Sequence, residues 1–111
     1  MEIEDNAFYG CSSLQSITVP SSVDEISYQA FEGCRVATLN DGLVKIGSSV
    51  FQRCVSLESI TIPSSVVEIG SMAFSNCSGL REIVLNEGLK KIGSNSFSGC
   101  SSWKVSVYLQ L

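Results

Sequence analysis

The chain contains no histidine and only two prolines among its 111 residues. Without histidine, any candidate active site loses the commonest general base and the commonest metal ligand. The longest uninterrupted apolar runs are two or three residues, so no segment predicts a membrane span. The chain has seven basic and eleven acidic residues, and the sequence pI is about 4.6. That balance argues against a nucleic-acid partner, because a clustered basic face is the expected footprint of one.

Catalytic machinery is also missing from the sequence. Serine is abundant, with 21 copies, but a serine nucleophile needs an adjacent activating base. Acidic residues such as Asp24 and Glu25 are predicted to be single solvent-facing charges, and no glycine-rich phosphate cradle opens a helix. The sequence therefore predicts a non-enzymatic protein with no cofactor and no metal.

What the sequence does contain is a repeat, and a repeat decides the fold before any local pattern does. Five phenylalanines recur with gaps of 23, 20, 23 and 23 residues, and each has an isoleucine five residues before it and a cysteine three residues after it. The phenylalanines are Phe8, Phe31, Phe51, Phe74 and Phe97. The isoleucines are Ile3, Ile26, Ile46, Ile69 and Ile92, and the cysteines are Cys11, Cys34, Cys54, Cys77 and Cys100.

One full unit runs from residue 54 to residue 76. Its alternating Ile60 and Ile62 predict a strand with one buried side, and the turn that starts at Pro63 ends that strand because proline lacks the backbone donor. The predicted core of the unit also includes Cys54, Leu57, Val66, Ile69, Ala73 and Phe74. A unit of this size cannot bury its apolar side alone, so we expect successive units to stack as the turns of a coil.

The repeat also alternates in its turns and varies in its length. Two turns begin with proline (Pro20 and Pro63) and two with an Asn-x-Gly sequence (residues 40–42 and 86–88), so the true unit is predicted to be a pair. The Asn-x-Gly turns are expected to use a left-handed glycine. The second turn of the coil is three residues shorter, and we align Thr38 with Thr18 across it.

The pattern L-x-x-I-x-I-P-x-S-V-x-x-I-G-x-x-A-F-x-x-C resembles the BspA-type leucine-rich repeat, also called the LRR_5 class, over residues 3–103. The resemblance implies a mainly β, right-handed solenoid of four to five 20–23-residue turns. Short strands would line one face, and short strands or 3-10 turns the other. Residues 1–111 would form a single domain. The resemblance further implies an adhesion or protein-binding module at a cell surface, and it carries no catalytic residues. The sequence of residues 1–5 is acidic and is not predicted to be a signal peptide.

The two ends depart from the repeat. The chain opens in the middle of a turn, and the alternating residues Val105, Val107 and Leu109 lie one step off the repeat register. Repeat arrays normally need polar caps, and none is visible. We therefore expect either a fragment of a longer array or neighbouring subunits that cover the ends.

Three repeated columns have a structural interpretation. The five cysteines are too far apart for zinc knuckles and are predicted to be free, buried thiols that act as small core residues. A partial disulfide is the less favoured alternative. The phenylalanines are predicted to stack as a core spine. The column Glu25, Lys45, Glu68 and Lys91 should place opposite charges on neighbouring turns and fix their register, with a charged recognition strip as the alternative.

The outward side chains of the strands are the predicted binding surface, because they project in a row without being needed for the core. We expect another protein to bind this strand face. The predicted contact residues are Gln15, Ser16, Thr18, Thr38, Glu58, Ser59, Thr61, Arg81, Glu82 and Val84.

Two alternatives remain open at this point. The chain could be a structural accessory or scaffold subunit wedged into a larger assembly, which the missing caps favour. A more distant alternative is a glycan- or ice-binding surface on the threonine row, although threonine is also simply a good strand residue.

Overall fold

A computed structural model of the protein describes residues 1–10, 17–20, 22–33, 37–86, 88–100 and 106–110. At 17–18, 37–38, 86 and 106–110 only the backbone is described. Within these residues the chain contains ten strands and no helix. The strands are β1 (Glu2–Ile3), β2 (Ile17–Thr18), β3 (Glu25–Ile26), β4 (Ala37–Thr38), β5 (Lys45–Ile46), β6 (Ser59–Thr61), β7 (Glu68–Ile69), β8 (Glu82–Asn86), β9 (Lys91–Ile92) and β10 (Ser106–Gln110).

Every described ladder is parallel, and each joins equivalent positions of successive turns of a coil. The odd-numbered strands form a five-stranded sheet of two-residue strands in the order β1-β3-β5-β7-β9, which we call the short-strand sheet. The even-numbered strands form the opposite side, as a two-stranded sheet β2-β4 and a three-stranded sheet β10-β8-β6. The outer surface of the even-numbered strands is the strand face. This arrangement confirms the predicted mainly β repeat fold.

The core lies between the two sides and is built from the repeated apolar columns. All eight core residues predicted for the unit from residue 54 to residue 76 are buried, each at most 4% exposed. Ser59 and Thr61 are exposed, as the alternation predicts, and Glu58, which precedes β6, is exposed as well. The predicted alignment across the short turn of the coil is also confirmed, because Thr18 pairs with Thr38 in the β2-β4 ladder.

The phenylalanines form a continuous stack at one corner of the coil. Neighbouring ring centroids are 5.3 to 5.6 Å apart, with interplanar angles of 5 to 11°. The backbone is also bonded from turn to turn here, as where the Phe51 N–H donates to the Ala73 carbonyl at 2.8 Å. We call this stack and the turns that carry it the phenylalanine corner, and it confirms the predicted spine.

One feature of this corner has no clear signal in the sequence. The residue two positions before each phenylalanine has a positive φ between 57° and 59°, although none is glycine: Asn6, Gln29, Ser49, Met72 and Asn95. This left-handed conformation costs roughly 1–2 kcal/mol for a residue with a side chain. In four of the turns the N–H of that residue donates to a carbonyl of the next turn, for example Met72 to Ser94 at 3.0 Å. The inter-turn hydrogen bond offsets part of the cost.

The alternation of turn types has a structural basis. The Ser65 hydroxyl accepts from the Gly42 N–H at 3.0 Å and donates to the Leu43 carbonyl at 2.6 Å, so a proline-type turn bonds the Asn-x-Gly turn before it. Asn40 donates in turn to the Val23 carbonyl at 3.0 Å. Gly42 has a φ of 99°, which confirms its predicted left-handed conformation. The two turn types therefore interlock, which accounts for a unit made of two turns.

The register shift near the end of the repeat does not appear in the strand pairing. β10 pairs with β8 along five residues, with Val107 opposite Ile83 and Leu109 opposite Leu85. The predicted one-step offset is therefore correct for the sequence spacing but does not reach the ladder.

Candidate functional site

The strand face around β6 and β8 carries most of the predicted contact residues that the structure describes. Glu58, Ser59, Thr61, Arg81 and Glu82 are exposed, and Val84 is half-buried. Ser59, Thr61, Glu82 and Val84 project outward because Ile60, Ile83 and Leu85 occupy the alternate positions and point into the core. Glu58 and Arg81 directly precede the two strands. The strands thus separate the residues that hold the fold from those available to a ligand.

The parallel register aligns these outward residues into rows. Ser59 lies opposite Glu82, and Thr61 lies opposite Val84. Beside the rows, the Arg81 guanidinium lies 3.5 Å from the Glu58 carboxylate, with both side chains about two-thirds or more exposed. An exposed pair of this kind contributes little to stability, roughly 0.2–1 kcal/mol. It therefore remains free to exchange for a pairing with a ligand.

The other predicted contact residues are described only in part or not at all. Thr18 and Thr38 lie in register on neighbouring strands, but their side chains are outside the described part of the structure. Gln15 and Ser16 lie outside the described residues altogether. Of the threonine row, only Thr61 has a described side chain, and its neighbour in the next turn is Val84.

Three cysteines line the core behind the phenylalanine corner. Cys54 and Cys77 are buried thiols, as predicted, and Cys100 is a half-buried thiol. Their thiols donate to phenylalanine carbonyls of earlier turns: Cys54 to Phe31 at 3.3 Å, Cys77 to Phe51 at 3.0 Å and Cys100 to Phe74 at 3.2 Å. Burial raises the pKa of the Cys100 thiol, and the neighbouring Cys77 adds to that rise. Cys11 and Cys34 lie outside the described residues.

The described residues contain no candidate metal site and no candidate membrane-spanning helix. No group of three or more histidine, cysteine, aspartate or glutamate side chains could hold a metal ion among the described residues. Over the same residues, no helix is long and apolar enough to cross a membrane.

The charged column on the short-strand sheet forms the predicted pairs. The Lys45 ammonium lies 4.0 Å from Glu25 and 3.3 Å from Glu68, and Lys91 lies 3.7 Å from Glu68. These contacts confirm that neighbouring turns place opposite charges side by side.

Sequence reasoning missed a groove that runs beside this charged column. Gly47, Gly70 and Gly93 directly follow the isoleucines that end β5, β7 and β9 and leave no side chain at these three positions. The resulting cavity of about 410 Å³ spans the turns from Asp5 to Gly93. The recurrence of glycine after isoleucine was the signal that could have revealed it.

Comparisons with known proteins show a family and several solved structures to which the chain is similar. The BspA type leucine rich repeat region matches residues 1–110 in six copies. The chain is similar to a leucine rich repeat protein of T. pallidum, at 42% identity and a TM-score of 0.86 over 89% of this chain and 48% of that one. It is also similar to a leucine-rich repeat protein of Bacteroides ovatus ATCC 8483, at 33% identity and a TM-score of 0.84 over 99% of this chain and 28% of that one.

A more distant structure supports the fold alone. A leucine rich cell surface protein of Faecalibacterium prausnitzii A2-165 matches 88% of this chain and 32% of its own length, at 23% identity and a TM-score of 0.63. No curated protein sequence matches the chain. The chain spans less than half the length of each of these solved structures.

Proposed function

The chain belongs to the BspA type leucine rich repeat family, and we propose that it is a non-catalytic module that binds another protein through its strand face. The observation that carries the proposal is the row of outward residues on β6 and β8. The side chains of Ser59, Thr61 and Glu82 are exposed and that of Val84 is half-buried, and the ladder aligns all four. The core is complete without them.

The composition of this surface suits a moderate-affinity protein interface. Glu58, Arg81 and Glu82 supply charges of both signs, Ser59 and Thr61 supply hydroxyls, and Val84 supplies apolar area. A non-obligate interface has about this mixture of polar and apolar surface. The parallel strands hold the row rigidly, so binding would order little backbone.

Charge reversal tests the proposal. The double variant Arg81→Glu/Glu82→Lys keeps the net charge and changes only exposed side chains. We expect immobilised wild-type chain to capture a partner from extracts of its source organism, and the double variant to lose that capture. The physical reason is that both new charges oppose the partner groups that paired with the original ones.

A matched control separates the surface from general charge effects. Asp41→Lys/Lys90→Glu also keeps the net charge and changes two exposed residues, but away from the strand face. Capture by this variant should equal that of wild type. Capture that survives the Arg81→Glu/Glu82→Lys change undiminished would remove the strand face as the binding surface.

A further inference from the structure

The short-strand sheet carries a second surface, the axial groove, whose floor is the backbone of Gly47, Gly70 and Gly93. One wall is the charged column from Glu25 to Lys91, and the other is formed by Tyr28, Ser48 and Ser71. Along the chain, Gly47 lies between Lys45 and Ser48, and Gly70 lies between Glu68 and Ser71. The groove crosses five turns, or four steps of about 4.8 Å, which gives a length of roughly 19 Å.

Glycine is required at the floor by the close approach of successive turns. A Cβ on Gly70 would lie 2.6 Å from the Gly47 carbonyl carbon and the Ser48 nitrogen, and a Cβ on Gly47 would lie 2.8 Å from the Ile26 carbonyl oxygen. Side chains are therefore excluded at these three positions, whereas Ser27 occupies the equivalent position in the turn before Gly47. The groove's volume of about 410 Å³ falls in the usual range of ligand sites.

Both walls keep hydrogen-bonding capacity that the fold does not use. The hydroxyls of Ser48 and Ser71 are exposed, and neither takes part in a side-chain hydrogen bond in the described part of the structure. Each ammonium of the charged column has three donors and each carboxylate about four acceptor sites, more than the ion pairs at 3.3 to 4.0 Å consume. A ligand in the groove would meet donors and acceptors along both of its edges.

The charge of the groove changes along its length. Asp5 and Glu25 line one end, whereas Lys91 lines the other and is 71% exposed. A polyanion such as a nucleic acid or an anionic glycan would meet the carboxylates of Asp5, Glu25 and Glu68. A neutral oligosaccharide would make no use of the opposite charges at the two ends. The groove therefore favours a slender ligand with opposite charges at its two ends.

We propose that the axial groove binds an extended polypeptide segment of about six residues, which matches its length at roughly 3.3 Å per residue. The segment carries a cationic group at the Asp5 end and an anionic group at the Lys91 end. An extended backbone fits because its N–H and C=O groups point to both edges, toward the serine wall and the charged wall. Small side chains face the glycine floor.

Calorimetric titration of the full chain with synthetic hexapeptides tests this site. The probe is acetyl-Lys-Ser-Gly-Ser-Gly-Asp-amide, and its controls carry lysine at both ends or aspartate at both ends. We expect saturable binding of the first peptide and weaker binding of both same-sign peptides, because each of those repels one end of the groove. Equal binding of all three peptides, or no saturable binding of the first, overturns the proposal.

Paired variants locate the site on the protein. Ser71→Leu fills the groove and should abolish binding, whereas Ser94→Leu changes an exposed serine in the same position of the next turn, outside the lining, and should not. Lys91→Glu should weaken binding about fivefold, the effect of one exposed ion pair, and Lys90→Glu should leave it unchanged. Loss of binding in the control variants as well overturns the assignment to the groove.

Two further readouts exclude trivial outcomes. Thermal unfolding of each variant shows that a loss of binding is not a loss of fold, and the Lys91→Glu result stands by itself if Ser71→Leu is unstable. A neutral chitin trisaccharide that binds while the dipolar peptide does not would overturn the peptide assignment. None of these results depends on whether the strand face binds a partner.

Discussion

The phenylalanine corner and the strand face are two regions of the same coil, and the repeat constrains them very differently. At the corner, ring spacings vary by only 0.3 Å, from 5.3 to 5.6 Å, and the left-handed residue recurs in every turn. On the strand side, strands run from two to five residues, and their ladders are divided between two sheets.

The shortened turn of the coil shows why this difference arises. Between Phe31 and Phe51 the repeat loses three residues, yet the corner stack and the short-strand sheet continue across it at 5.6 Å and in register. The strand-side sheets separate at β4 and β6, next to the same shortening. The corner therefore sets the stacking of the coil, and the strand side absorbs variation in length and in surface chemistry.

The largest expected effect on stability comes from a substitution in the phenylalanine corner. Phe51 is 1% exposed and stacks between Phe31 and Phe74, so Phe51→Ala removes a buried ring with a neighbour on each side. We expect the free energy of unfolding to fall by about 3–5 kcal/mol. Urea denaturation, followed by far-ultraviolet circular dichroism, measures the change.

The strand face supplies the control for that measurement. Thr61→Ala changes an exposed strand residue and should alter stability by no more than about 0.5 kcal/mol. Similar losses for the two variants would show that the corner has no special role in stacking.

A smaller effect concerns the charged column of the short-strand sheet. Lys45 lies between Glu25 and Glu68, so Lys45→Glu places three like charges on neighbouring turns. We expect a loss of about 1 kcal/mol in the free energy of unfolding, in keeping with exposed pairs. Most of that loss should disappear in roughly 1 M NaCl, where the screening length is about 3 Å.

Lys90→Glu is the matched control for this change. It alters the net charge equally, but Lys90 has no ion pair within the described part of the chain. A salt-insensitive loss at Lys45, or an equal loss at Lys90, would contradict the register role of the column.

The smallest effect is a pH dependence at the inner edge of the corner. Burial raises the pKa of Cys100 above its ordinary 9.0, so the folded state keeps a proton that the unfolded chain releases. The stabilisation is complete below that ordinary value and is lost as the pH rises through the folded-state pKa. The difference in unfolding free energy between wild type and Cys100→Ala should therefore shrink above about pH 9. A difference that grows with pH would mean that the thiolate is the favoured form.

Much of the fold could be predicted from the sequence because the repeat columns report on packing directly. The spacing of Phe51 and Phe74 indicated a stack, and the alternation of Ile60 with Thr61 indicated which side is buried. The pairing of Lys45 with Glu68 followed once the turns were assumed to stack. Each of these inferences needed only that equivalent positions lie above one another.

Other features depended on how the backbone runs inside each turn. The left-handed conformation of Met72 or Gln29 has no signal in those residue types, because inter-turn hydrogen bonds impose it. The axial groove could not be predicted because it depends on the close approach of two turns, which Gly70 permits. The candidate strand face could be predicted as a row, but the ion pair between Glu58 and Arg81 required the ladder register.

By itself, the sequence determined that the chain is a stack of near-identical turns, because recurring apolar, aromatic and charged residues can be satisfied only by copies of themselves above and below. Only the tertiary structure decided where the stack remains continuous and where it divides. It also decided which polar groups remain available for binding. Those properties depend on backbone approach between turns at a scale of tenths of an ångström, which residue spacing along the chain does not encode.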